Sequence, residues 1–221
     1  MYSVSVDNLI FGCRDGVLEI FLIQHAHGPA SGKWGLPGDW IKDGESLEEA
    51  ALRTLSTRTG ITDIFLEQLH TFSSIDRHPE ERVITTAYYT LIRPQDFATM
   101  AGSHELDARW FSVNQLPPLM YDHQHILQRG LLKLRQKVRH EPIGFNLLPA
   151  KFTLAELQKI YEAVLNIKLN KPNFRRKMLN MNLLIDCLEK QTGQAHRAAS
   201  LYRFDQSIYN DLKTRGFVFE L

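Results

Sequence analysis

Three groups of residues in this chain have the types and spacing that chemistry requires. The first is acidic: Glu45, Glu48 and Glu49, followed by Arg53. Clustered carboxylate oxygens can hold a hard divalent cation. Glu49 also reads more simply, as the capping ligand of a helix opened by Ser46 and as the i,i+4 partner of Arg53. The second group lies in the segment 72–83, where Asp76, Arg77 and Arg82 offer a carboxylate and two guanidinium groups to sugar hydroxyls or a phosphate. The same segment also reads as a surface turn of mixed charge. Tyr88 and Tyr89 follow it; alternation along a strand sends one of them to the core and lets the other reach a pocket, with Tyr88 the expected effector-side residue. The third group is basic: Lys171, Asn173, Arg175, Arg176, Lys177 and Asn180, interleaved with Phe174, Met178 and Met181. At helical spacing the apolar three turn inward and the polar ones outward. Arg reads guanine O6 and N7, Asn reads adenine N6 and N7, and Lys neutralises phosphate. The alternative is a solvated helix face. Among the nine histidines, the pairs His25 with His27 and His123 with His125 read as ordinary surface residues.

Local sequence shows what positions these groups. Runs 4–10 and 17–24 are strand-like, joined by Arg14-Asp15-Gly16. Segment 34–41 is extended and glycine-rich. Ser46-Leu47-Glu48-Glu49 has capping-box spacing, and Gly60 ends that helix. Strands follow at 64–69, 83–92 and 108–113. After Pro117-Pro118 a helix over 122–139 carries Leu127, Leu131, Leu134 and Val138 on one side, as a rigid connector, a dimer contact or both. Thr153-Leu154-Ala155-Glu156 is a second capping box, Asn170 an N-cap, and Pro172 fits the first turn of the basic helix. Strands at 183–188 and 200–204 flank a polar loop, 189–199, in which Gln194, His196 and Arg197 can touch phosphate or the minor groove. Helix, turn, basic helix and hairpin is the order of a winged helix-turn-helix.

The totals set bounds. The chain has 221 residues, 43% hydrophobic and 23% charged, which is the balance of an ordinary globular protein. The net charge of +1 splits unevenly. Residues 1–150 hold 14 Lys+Arg against 18 Asp+Glu, and residues 151–221 hold 12 against 7. A basic terminal portion on a mildly acidic body suits a polyanion-binding module attached to something else. No leader-like or membrane-spanning apolar run is present, and Cys13 and Cys187 show no metal spacing. A cytoplasmic protein with no membrane partner, cofactor or metal is expected.

Residues 36–61 resemble the signature of the Nudix family, G-x5-E-x7-R-E-U-x-E-E-x-G-U, with matches at Glu45, Arg53, Leu55, Gly60 and Ile61. Asp39 stands at a glycine of that signature, and Thr54, Thr57 and Arg58 stand where the family carries metal-binding glutamates. Over roughly residues 4–210 the chain is similar to the Nudix-related transcriptional regulators of NAD metabolism and of arabinose and other sugar utilisation, on the strength of residues 141–149, 152–157 and 173–177. That resemblance implies an α+β chain. A Nudix-like α/β/α sandwich would occupy 1–121, a connecting helix and linker 122–149, and a winged helix-turn-helix 150–221. It implies a homodimer on a palindromic double-stranded DNA operator, released or retained according to a small effector, a sugar or an ADP-ribose-like molecule, with segment 72–83 on the effector side. Loss of the metal carboxylates favours a free sugar over ADP-ribose and a catalytically inactive domain. The alternative is a metal-dependent Nudix pyrophosphohydrolase acting on ADP-ribose or a related nucleoside diphosphate derivative; a third reading is a module for protein contacts.

Overall fold

In the computed structural model, residues 2–97, 105–192 and 198–221 are described, and they form two compact units. One comprises Met1–Arg14 and Leu18–Lys133, the other Asp15–Val17 and Leu134–Leu221.

The first unit is built on a sheet in which β1 (Ser3–Arg14) is central. Asp15 and Gly16, both at positive φ, turn the chain into β2 (Val17–His25). β3 (Trp34–Gly35) pairs with β2, and β4 (Gly38–Trp40) pairs antiparallel with β1, Val6 opposite Asp39. Helix α1 (Leu47–Thr59) then crosses over. β5 (Glu67–Phe72) forms an edge, and β6 (Val83–Ile92) lies parallel to β1, with Asn8 opposite Tyr88. β7 (Glu105–Ser112) returns antiparallel to β2, and α2 (His123–His140) follows, its residues up to Lys133 belonging to this unit.

Parallel pairing calls for a sheet covered on both faces. Ala50, Ala51 and Leu55 of α1 pack on the face that carries Val6, Ile10 and Tyr88. The opposite face carries Leu9 and Phe11, and there α2 approaches so closely that a Cβ on Gly130 would overlap Leu9 Cδ2. This is an α/β/α sandwich. The capping box at Ser46 is present in full, with Ser46 N–H donating to Glu49 Oε2 at 2.8 Å and Glu49 N–H to Ser46 Oγ at 3.2 Å. Gly60 closes the helix at φ 74°.

The second unit holds α3 (Leu154–Leu165), α4 (Lys171–Asn180), the hairpin β8 (Leu184–Lys190) and β9 (Ser200–Phe204), and α5 (Gln206–Thr214). Thr153 and Glu156 form the expected capping box, and Asn166 in the left-handed region ends α3. Asn170 Oδ1 caps α4 by accepting the Asn173 N–H at 3.0 Å. The backbones of Phe152 and Tyr202 exchange hydrogen bonds, lashing the start of α3 to the hairpin. Leu157, Tyr161, Phe174, Met178 and Phe219 fill the core. Met181, expected inside with Phe174 and Met178, is only half-buried because it is the residue at which α4 ends. Helix α5 was not expected: it is a short, polar segment capped by Asp205, and only Tyr209 is buried.

Candidate functional site

Two recesses meet on the first unit. One is a cavity of about 360 Å³ roofed by the aromatic rings of Trp40, His78 and Tyr121. His78 lies against Tyr121 at 4.6 Å between centroids and within 6.3 Å of Trp40. The other is a groove of about 500 Å³ lined by Lys42, Arg53 and Thr57. His25, His27, Asp39 and Arg58 line both and form the seam.

Asp7 anchors the cavity floor. It accepts from Thr85 Oγ1 at 2.8 Å and lies 3.7 Å from Arg77 and 3.6 Å from His123 Nε2. β4 can pass this close only because residue 38 is glycine, since a Cβ there would overlap Asp7 Oδ1. Arg77 is buried and donates through Nε (3.0 Å) and Nη2 (2.8 Å) to the two oxygens of Asp122, just ahead of α2. Such a two-pronged pair is geometrically fixed. His123 is buried, not at the surface as its spacing suggested: Nδ1 accepts the Leu36 N–H at 2.9 Å, and burial pushes its pKa down. His25 is half-buried, and its pKa is lowered chiefly by burial.

Of the four effector-side residues expected from sequence, only Arg77 lines the cavity. Asp76 is exposed, and Arg82 donates to the Ser74 carbonyl at 2.7 Å. Tyr88 is not in the cavity, because its register opposite Asn8 puts it on the α1 face; burial, with Glu48 beside it, pushes its pKa up to about 12. Tyr89 is buried as well, so neither tyrosine lines the cavity. Asp7, Trp40, Tyr121 and Glu105 were missed. Asp7 alone left a sequence signal, a carboxylate inside an apolar strand.

On α1, Arg53 turns away from Glu49. Its Nε donates to Glu45 at 2.6 Å, Nη1 to Asp39 at 2.9 Å and Nη2 to the Trp40 carbonyl at 2.9 Å. The guanidinium holds the Glu45 carboxyl down at about 2. Arg58 donates to Glu105 at 2.6 Å and lies 3.4 Å from Asp39. Thr54 is fully buried, whereas Thr57 is exposed and bonds back to the Arg53 carbonyl.

On the second unit, Lys171, Asn173, Arg175, Arg176, Lys177 and Asn180 are all exposed on α4, over a buried side made by Phe174 and Met178. Arg176 reaches Asn173 Oδ1 at 3.3 Å, and no carboxylate pairs with these cations among the described residues. Gln194, His196 and Arg197 of the hairpin loop lie outside the described residues.

Compared with known families, residues 1–130 match the NUDIX domain and residues 144–204 the NrtR DNA-binding winged helix domain. The chain is 32% identical over 211 residues to the ADPR responsive transcriptional repressor NtrR of Acinetobacter baylyi, covering 94% of this chain and 84% of that protein. It belongs to the NrtR family of Nudix-related regulators. Shewanella oneidensis NrtR complexed with a 27mer DNA superimposes at a TM-score of 0.77 with 29% identity, over 98% of this chain and 97% of that one. The NUDIX domain of the same protein complexed with ADP ribose gives 0.57 and 28%, over 61% and 89%.

Within this NrtR-family Nudix domain, the donors do not suit a divalent cation. Thr54 is buried, Thr57 is a neutral hydroxyl, and Arg58 puts a positive charge at the third position. Nor do Glu45, Glu48 and Glu49 rebuild a site: Glu45 holds Arg53, Glu48 stands beside Tyr88 and Glu49 is spent on the helix cap. Among the described residues no three His, Cys, Asp or Glu are grouped to bind a metal ion.

Proposed function

We propose that this chain is an NrtR-type transcriptional repressor that binds operator DNA through α4 and senses an ADP-ribose-like nucleoside diphosphate in the Nudix domain, without hydrolysing it. The observation that carries this reading is the exchange of the signature glutamates for Thr54, Thr57 and an ion-paired Arg58 in a chain that also presents a carboxylate-free basic helix. An enzyme scaffold without its metal carboxylates can still bind. The aromatic roof of the cavity suits a base and its carboxylates suit ribose hydroxyls. The relatives respond to or bind ADP-ribose, which supports that effector over the free sugar that loss of the metal site favours. Two copies on a palindromic operator are the expected assembly, in the cytoplasm; no helix among the described residues is long and apolar enough to cross a membrane.

A mobility shift on DNA from upstream of the protein's own gene tests this. Arg176→Ala is expected to weaken binding by about 1–3 kcal/mol, the worth of a bidentate base contact. ADP-ribose is expected to move the titration midpoint, and arabinose to leave it in place, since a ligand shifts only equilibria whose states it binds unequally. Equal binding by the variant would remove α4 from the interface. Turnover of ADP-ribose with Mg²⁺ or Mn²⁺ would restore the hydrolase reading.

A further inference from the structure

The two recesses differ in charge as well as in shape. The aromatic cavity is lined by Asp7, Asp39, Glu80 and Glu81 against Arg58 and Arg77, so it disfavours a phosphate. Among the described residues, the groove beside it sets Lys42, Arg53 and Arg58 against Asp39 alone. A nucleoside diphosphate laid across the seam therefore places its base and ribose on the aromatic side and its phosphates on the groove side.

The two guanidiniums of the groove are not equivalent. Arg53 spends Nε, Nη1 and Nη2 on Glu45, Asp39 and a backbone carbonyl, which makes it a scaffold clamp. Among the described residues Arg58 has one hydrogen bond, from Nη1 to Glu105, and a longer ion pair with Asp39; a guanidinium carries five N–H donors, so most are left over. Its side chain keeps 17% exposure, at the seam, while the Glu105 side chain is wholly enclosed and fixes it from behind. Next to it, His25 Nε2 is buried with no hydrogen-bond partner among the described residues. A buried polar atom without a partner is costly unless a ligand supplies one.

We infer that Arg58, held by Asp39 and Glu105, is the resident cation of this domain: it takes over the charge of the absent metal and anchors the effector's diphosphate without a divalent ion, aided by His25. This rests on the nucleoside diphosphate reading above. Two fixed carboxylates pre-organise the guanidinium, so little rotamer freedom is lost when phosphate oxygens arrive.

Calorimetric titration of the full chain with ADP-ribose, in EDTA and in Mg²⁺, tests it. The wild type is expected to bind with the same affinity, within about twofold, in both. Arg58→Gln is expected to lose roughly tenfold or more for ADP-ribose, a charge-assisted contact's worth, and nothing for adenosine, which has no phosphate; Arg58→Lys is expected to recover part of the loss. The double variant Arg58→Gln with Glu105→Gln removes the buried charge left behind and is expected to show the same selective loss. A wild type that needs Mg²⁺, an Arg58→Gln chain that binds ADP-ribose unchanged, or an equal loss for adenosine would each overturn the inference while leaving the effector reading standing. No ADP-ribose binding in either buffer would overturn the effector reading, and this inference with it.

Discussion

His123 shows how one side chain can tie the cavity to acidity. Its ring is only 2% exposed, and Nδ1 must be unprotonated to accept the Leu36 N–H. Burial, with Arg77 adding to it, lowers its pKa against the opposing pull of Asp7 and Asp122, and His25 shifts the same way. The unfolded chain takes up protons near pH 6.5, where the folded chain does not. Stability is therefore complete above that pH and drains away as the pH falls below it. The urea midpoint is expected to fall between about pH 7 and 5.5, and His123→Gln is expected to flatten that fall in part. A midpoint level across the window would mean that these rings titrate freely. At this scale the sequence named Arg77 and the seam residue Arg58 and missed most of what surrounds them. Histidine spacing alone cannot show that residue 123 meets the Leu36 backbone from far along the chain. Arg53 passed over its i,i+4 neighbour because the strand at Asp39 and the turn at Glu45 fold back onto it.

Helix α4 works as an element only because its two sides do different jobs. Phe174 is 5% exposed and meets Tyr161 at 5.8 Å, so it seats the helix, while the six polar residues across from it carry no packing. Phe174→Ala is expected to cost about 3–5 kcal/mol of stability in this unit, a buried ring lost with a cavity left behind, and to take DNA affinity with it. Arg176→Ala is expected to cost stability no more than about 0.5 kcal/mol. Urea unfolding beside the mobility shift separates the two; equal stability loss in both variants would mean that Arg176 also packs. The elements that local chemistry specifies were legible: both capping boxes, the Asn170 cap and the strand at 83–92 stand where residue spacing put them. Those that depend on distant partners were not. Tyr88 was aimed at a pocket because parity on β6 is set by its pairing with β1, and α5 was overlooked because its apolar stripe is short and its cap is a lone Asp205.

For the whole molecule the decisive quantity is the copy number on DNA, and charge can count it. Residues 151–221 hold the excess of basic groups, and α4 contributes four of them, Lys171, Arg175, Arg176 and Lys177. Each phosphate neutralised contributes about −0.9 to the slope of log affinity against log salt. With Arg176 on a base edge and the other three on phosphates, one copy gives a slope of about −2.7 and two copies about −5.4. Other contacts can add to either figure, so the change on removing one cation is the sharper measure. Lys171 sits in the first turn of α4, exposed and without a carboxylate partner among the described residues. Lys171→Ala is expected to flatten the slope by about 1.8 if two copies bind and by about 0.9 if one does. The dimer reading requires the larger change. The smaller one would put a single copy on the operator, and a slope insensitive to Lys171 would take the N-terminal turn of α4 off the phosphate backbone.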